Sequence, residues 1–112
     1  MQRDLQSLLD MLESARLATC YIAETSKADF LLDIQLQDAV IRRLAIIGEA
    51  VRRVSEPTRQ ALPTIPWSEI GGMRNRLIHE YDDLDLDTVW ETVKTSLPLL
   101  IEELEKVVPP KP

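Results

Sequence analysis

Apolar residues that recur three and four positions apart constrain the fold of this chain more than any other feature. Residues with that spacing lie on one face of an α-helix. In residues 2–25 they are Leu5, Leu8, Leu12, Ala15 and Ile22, with the small polar Thr19 at the same spacing and Leu9 and Leu17 beside them. In residues 35–55 they are Val40, Leu44, Ile47, Val51 and Val54. After residue 87 they are Val89, Val93, Leu97, Leu100, Leu104 and Val107.

These stretches, with a fourth helix from about Trp67, predict an all-α up-down bundle of four to five helices. The 112 residues suit one domain, 1–112, with a frayed tail at 108–112. Pro98 is expected to kink the last helix or to begin a new segment. In the first helix the predicted water-facing residues are Asp4, Asp10, Glu13 and Arg16.

The connections between the long helices are predicted to be short. Residues 25–29 are polar and predict a turn, and residues 58–62 predict a brief helical turn. Phe30-Leu31-Leu32 could cover the open end of the bundle. An aspartate at 85 or 87 suits the N-terminus of the last helix, through side-chain capping and the helix dipole.

The second long helix is apolar on nearly every side of its middle. Besides the residues of its main stripe, this part of the helix contains Ile41, Ala45, Ile46 and Ala50. One neighbouring helix cannot cover so wide an apolar surface. The helix is therefore either central or shared with a second subunit, and a two-fold homodimer is predicted.

The composition limits the chemistry that the chain can perform. A single cysteine excludes an internal disulfide and a thiolate metal site, and Cys20 is predicted to be a small buried residue. The net charge of −6 argues against broad attraction to nucleic acid, so RNA binding would need a local basic patch. Arg42-Arg43 and Arg52-Arg53 are the best candidates for a phosphate-binding rim. No signal peptide or membrane span is evident, which predicts a cytoplasmic protein.

Residues 71–81, GGMRNRLIHEY, contain the only histidine of the chain and two arginines within a few positions. On a helix, Asn75 and His79 are neighbours four apart, and Arg76 and His79 three apart. Arg74 lies five positions before His79, so on a helix the two point about 140° apart. The long arginine can still bring its guanidinium to the imidazole if the helix ends near Tyr81. A structural role for the lone histidine remains open, as does a core-capping role for Tyr81.

Metal-free RNA cleavage fits this combination better than a nucleophilic triad or a zinc site. The substrate supplies its own nucleophile, the 2′-hydroxyl, and a neutral imidazole can accept its proton. A guanidinium can stabilise the phosphoryl oxygens as charge develops. Each chain has one histidine, so a dimer would supply a second His79 for the leaving oxygen. No metal site is predicted, because the acidic run after Tyr81 lacks the spacing of a cation loop.

Arg74-x4-His79-x-Tyr81 resembles the R-x4-H-x-Y motif of the HepT-like toxins of the HEPN superfamily. Three further blocks resemble that family in the same order: residues 37–44, residues 46–50, and Leu62-Pro63-x-Ile65-Pro66-Trp67. The resemblance covers essentially the whole chain.

The resemblance implies a dimeric all-α HEPN bundle with a cleft between protomers and metal-independent endoribonuclease activity that needs no cofactor. It implies that Arg74 and His79 are catalytic and that Asn75, with Arg76, supports them. The implied partner is an MntA-like minimal nucleotidyltransferase antitoxin that attaches AMP to Tyr81.

Another interpretation is a non-catalytic dimeric helical partner, or nucleotide-binding adaptor, of a nucleotidyltransferase. The Arg74/His79 pair favours the enzyme, and the negative charge favours the adaptor. The acidic residues after Tyr81 are Asp82, Asp83, Asp85 and Asp87, which would repel an RNA backbone unless they fold away.

Overall fold

The structure, a computed structural model, describes residues 2–79 and 85–109; for residues 2–3 and 74–79 it describes the backbone alone. In this part of the chain the α-helices are α1 (Gln2–Ile22), α2 (Lys27–Leu32), α3 (Ile34–Arg53), α4 (Glu56–Ala61), α5 (Trp67–His79), α6 (Leu86–Glu91) and α7 (Leu97–Glu105). The predicted all-α class is confirmed. No described helix is long and apolar enough to cross a membrane.

The four long helical segments run up and down, as predicted for the bundle. The start of α1 meets the end of α3, where Asp4 contacts Ser55, so these helices are antiparallel. Helix α5 packs against α3, and α7 packs against α1. The apolar face of α3 predicted from spacing is confirmed, because its five stripe residues are all buried.

The buried face of α1 is wider than the predicted stripe. Leu8, Leu12 and Ile22 are buried as expected, and Met11 and Ala18, which were not assigned to the stripe, are fully buried. Helix α1 packs against both α3 and α7, so its buried face has two neighbouring helices to cover.

Asp4 corrects the prediction for the first helix, because its side chain is 3% exposed rather than directed to water. Its carboxylate accepts hydrogen bonds from the Ser55 backbone N–H (2.9 Å), the Ser55 hydroxyl (2.6 Å) and the Thr58 hydroxyl. Asp4 thereby satisfies polar groups at the start of α4, whose N-cap Ser55 makes no side-chain cap of its own. An acidic residue near a helix N-terminus is ordinarily solvent-exposed, so spacing alone missed this contact.

We expect Asp4→Asn to lower the melting temperature by roughly 5–10 °C at neutral pH, because the Ser55 and Thr58 donors lose a charged acceptor. Hydrogen bonds from Ser55, first through its hydroxyl, and from Thr58 lower the pKa of Asp4 from 3.8 to about 2. A carboxyl with a depressed folded-state pKa stabilises the fold above its unfolded pKa and loses this contribution as pH falls towards 2. Urea unfolding should therefore separate the wild type from Asp4→Asn at pH 7, with the difference shrinking towards pH 2. An equal difference at both pH values would contradict this role.

The segment between α1 and α3 is more helical than predicted. Helix α2 begins at Lys27 inside the predicted turn, because the Ser26 hydroxyl accepts from the Asp29 N–H at 3.0 Å and caps it. Phe30 covers the end of the bundle as predicted: it is fully buried, and its ring centroid lies 5.4 Å from that of Trp90. Leu32 does not take part, since it is 84% exposed.

The last helical segment changes its winding before Pro98. Asp85 caps α6 as predicted, by accepting from the Asp87 N–H at 3.0 Å. A π-helical turn spans Thr92–Ser96, and α7 follows with Pro98 in its first turn. Proline has no N–H to donate, and a wider turn just before it accommodates the missing hydrogen bond.

Two further predictions from spacing are wrong. Cys20 is exposed rather than buried, because the buried face of α1 is centred on Met11 and Ala18. Val107 is 38% exposed rather than buried, and Val108 is buried instead. Helix α7 ends at Glu105, and the N–H groups of Val107 and Val108 both bond to the Leu104 carbonyl. This turn takes the chain out of helical phase.

Candidate active site

Helix α5 contains the residues predicted to carry the chemistry, and a stiff connector sets where it begins. Pro63 to Pro66 separate it from α4, and the helix starts at Trp67. Ile70 is buried, and Trp67 and Met73 are half-buried, so these three residues form the inward face of its first two turns. The side chains of Leu77 and Ile78 lie outside the described residues.

Two polar contacts hold the beginning of α5. The Trp67 indole N–H donates to the backbone carbonyls of Leu62 (3.0 Å) and Arg59 (3.2 Å). The Arg59 guanidinium lies over the same ring, with Cζ 5.9 Å from the ring centroid. Arg59 also donates to the carbonyls of Val54 (3.1 Å) and Val51 (2.6 Å) at the end of α3. One arginine thus joins α3, α4 and α5.

The first turns of α5 approach α3 closely. A Cβ atom added at Gly71 would lie 3.9 Å from Cγ1 of Val51. Ile47, one turn earlier on α3, lines the same groove as Ile70 and Met73. As α5 advances it thus moves back along α3, and the two helices are antiparallel.

The motif residues occupy the last two turns of α5, which is helical through His79. Arg74, Asn75, Arg76 and His79 are therefore on one continuous helix, with Asn75 and His79 one turn apart. The conformations of their side chains lie outside the described residues. Tyr81, Asp82 and Asp83 lie wholly outside them.

Two of the four carboxylates that follow the motif have structural partners. Asp85 accepts from the Thr88 hydroxyl at 2.8 Å and from backbone N–H groups, and the hydrogen bonds from Thr88 lower its pKa. Asp87 forms an ion pair with Lys27 at 2.9 Å, which raises the pKa of that lysine. The Lys27 ammonium therefore neutralises one carboxylate of this acidic run, which reduces the expected repulsion between the run and RNA.

The four arginines of α3 differ in exposure and in ion pairing. Arg53 lies 3.5 Å from Asp10 and pairs with it, whereas Arg42 and Arg52 are exposed and Arg43 is half-buried. Of the predicted phosphate-binding rim, Arg42 and Arg52 are thus the cations most open to a ligand.

A groove of about 460 Å³ lies beside α5, on the side of Ile70 and Met73. Its apolar wall includes Leu97 and Leu100 of α7, and Glu69, Glu102 and Glu103 are among its described lining residues. Hydrogen bonds from Lys106 and Thr64 lower the pKa of Glu103. This acidic groove does not suit a phosphate backbone. Among the described residues there is also no group of three or more histidine, cysteine or carboxylate side chains placed to hold a metal ion.

The ribonuclease HepT-like family model matches residues 11–107, which include α5 and every motif residue. This chain belongs to the HepT-like ribonuclease family. The resemblance predicted from the four sequence blocks is therefore confirmed. The enzyme class predicted from the motif, an endoribonuclease, is the class of this family.

Individual relatives agree with the family match. A Methanocaldococcus jannaschii protein, named a gamma-glutamylcyclotransferase and provisionally an RNase, is 40% identical over 96% of this chain, which spans 49% of that protein's length. A second protein of that organism, provisionally named an RNase, is 36% identical, with 96% of this chain and 89% of the relative covered. A Thermococcus cleftensis protein named a probable ribonuclease HepT is 40% identical, with 89% and 91% covered.

No solved structure matches this HepT-like chain significantly. The contacts of Asp4 and of Arg59 with Trp67 were not predicted from the sequence. For the Arg59–Trp67 contact, the only signal in the sequence was Trp67 itself, which ends the block Leu62-Pro63-x-Ile65-Pro66-Trp67.

Proposed function

We propose that this HepT-like ribonuclease is the toxin of a toxin–antitoxin pair and cleaves RNA in the cytoplasm without a metal ion. The observation that carries the proposal is that α5 runs unbroken from Trp67 through His79 in a chain matched to a ribonuclease family. Arg74 and His79 both belong to the last two turns of this helix, which supports their proposed shared role.

In the proposed reaction the neutral imidazole of His79 accepts the proton of the ribose 2′-hydroxyl. The 2′-oxygen then forms a bond to phosphorus, and the bond from phosphorus to the 5′-oxygen breaks. Arg74 stabilises the charge on the phosphoryl oxygens, and Asn75 and Arg76 support the site. The products are a 2′,3′-cyclic phosphate and a 5′-hydroxyl, and the 5′-oxygen takes its proton from an acid.

A two-fold homodimer would supply that acid as the His79 of a second copy. Apolar surface on α3 supports this part of the proposal. Ile34 is 71% exposed, and Ile41 and Ala45, further along the helix, are only half-buried. The interface would comprise this surface and the motif segment.

Light scattering should give the mass of a dimer at micromolar concentration. Ile41→Glu should shift the protein towards monomer and reduce RNA cleavage in parallel, because a charge would be buried in the interface. Leu99→Glu is the matched control: Leu99 is 62% exposed on α7, and the same charge there should leave the dimer intact. A monomeric wild-type protein that cleaves RNA would rule out a shared cleft.

The proposed control of the enzyme is the attachment of AMP to Tyr81 by an MntA-like nucleotidyltransferase that uses ATP. Tyr81 follows His79 by two residues, so an AMP group there would add negative charge and bulk close to the catalytic pair. Its phosphate could pair with Arg74 or Arg76 and compete with the RNA phosphate. Inhibition would then require no change of fold.

Co-expression with an MntA-like nucleotidyltransferase from the same genome should raise the mass of the intact protein in units of one AMP group. Tyr81→Phe should abolish the increment and remain toxic beside the partner, while Tyr21→Phe, which alters the other tyrosine of the chain, should still be modified. A silenced but unmodified chain would instead favour inhibition by binding. A wild-type protein that cleaves no RNA would favour the non-catalytic adaptor.

A further inference from the structure

We infer that Arg59 and Trp67 are positioning residues for the motif helix: their contact fixes the direction of α5 and so the location of His79. This inference rests on the proposed ribonuclease function. Neither residue belongs to the motif, and neither is assigned a catalytic role.

The Arg59–Trp67 contact links the end of α3 to the start of α5, the two helices whose relative orientation sets the location of His79. Arg59 bonds through its guanidinium to the carbonyls of Val51 and Val54, which end α3. The Trp67 ring lies against that guanidinium, and its N–H is bonded back to the carbonyl of Arg59. The carbonyl at residue 51 thus holds Arg59, while the side chain at the same residue faces Gly71. Arg59 and Gly71 therefore both lie against the same turn of α3, at Val51.

Among the described elements, α5 packs mainly against α3. Its other side borders the groove beside Ile70 and Met73, so among the described residues α5 packs less closely on that side than against α3. The contacts of Trp67 and Gly71, together with the burial of Ile70, therefore restrain its direction where the helix begins.

The length of α5 amplifies any change at its start. His79 lies twelve residues beyond Trp67, which is about 18 Å along a helix. A tilt of about 3° at Trp67 would displace His79 by about 1 Å, and a misplacement of that size can lower a rate by about 10²-fold. Small changes in the Arg59–Trp67 contact should therefore lower the rate of RNA cleavage markedly while lowering the melting temperature only slightly.

Trp67→Phe tests the inference because it keeps an aromatic ring against Arg59 and removes both N–H bonds. We expect kcat for RNA cleavage to fall about 10- to 100-fold with KM within about threefold of the wild type. The kcat of Arg59→Lys should lie between those of the wild type and Trp67→Phe. Lysine keeps the positive charge, but its ammonium group cannot reproduce the planar guanidinium that reaches two carbonyls and lies on the ring.

Ile22→Val is the matched control, because it removes one buried methyl group at the far end of α1 and so destabilises the fold without altering the α4 segment that carries Arg59. At a temperature well below all melting transitions, this variant should keep kcat within about threefold of the wild type. Equal losses of kcat in Trp67→Phe and Ile22→Val would overturn the inference, as would unchanged kcat in both Trp67→Phe and Arg59→Lys.

Amide chemical shifts separate this inference from the proposed function. In the free protein, Trp67→Phe should shift the backbone amides of residues 74–79, and Ile22→Val should leave them in place. If the wild type cleaves no RNA, the ribonuclease proposal fails, but the amide shifts still report whether the contact directs α5. Unshifted amides in Trp67→Phe and Arg59→Lys would overturn the positioning role regardless of activity.

Discussion

His79→Ala is expected to lower RNA cleavage by roughly 10²- to 10⁴-fold and to abolish growth toxicity. Alanine cannot accept the 2′-hydroxyl proton, and the chain contains no second histidine. The rate should be measured on a defined RNA with excess enzyme, so that the cleavage step rather than product release is observed. Circular dichroism should show an unchanged helical fold, because the substitution is at the last residue of α5.

Ser68→Ala is a suitable control for that experiment. It alters an exposed side chain in the first turn of the same helix, and it should leave both the rate and the toxicity unchanged. Cleavage at the wild-type rate by His79→Ala would show that the acid–base assignment is wrong.

Arg74→Ala should lower the rate by roughly 10²- to 10³-fold, since removal of one preorganised donor to a developing oxyanion commonly has an effect of this size. Arg74→Lys should recover only part of the loss, because lysine supplies a point charge in place of a planar fork. The measurement is single-turnover cleavage of the same RNA.

Arg16→Ala controls for the general loss of a positive charge, because Arg16 is on α1 and pairs with Glu105 at 3.2 Å. It should change the rate by less than about threefold, because exposed ion pairs contribute little. If Arg74→Ala and Arg16→Ala reduce cleavage equally, Arg74 acts only through the overall charge.

The long helices were predictable because their buried faces repeat over many turns. All five stripe residues of α3 are buried as the spacing predicted, and Ile70 is buried on α5. A periodic pattern is reliable where a helix is long, and it fails where the chain leaves helical phase. Val107 and Val108 illustrate that failure, because the turn after Leu104 exchanges their environments.

Single polar contacts between distant parts of the chain were not predictable from spacing. Asp4 and Ser55 are 51 positions apart, and no local pattern indicates that an acidic residue at the start of one helix serves the N-terminus of another. The motif itself was located because it combines rare residue types on neighbouring helical positions. The Arg59–Trp67 contact lacks such a signature, since its arginine lies in a short helix that spacing predicted only as a turn.

The most direct test of metal-independent cleavage by the 2′-hydroxyl uses one RNA oligonucleotide in two forms, incubated with the protein in excess EDTA. The first form is all-ribose, and the second carries a single 2′-deoxy nucleotide immediately 5′ of the cleaved bond. The mechanism predicts that the all-ribose form is cut to a 2′,3′-cyclic phosphate and a 5′-hydroxyl, identified by mass spectrometry, and that the 2′-deoxy form is not cut at that bond. Cleavage that disappears in EDTA, or that persists at the 2′-deoxy position, would contradict it.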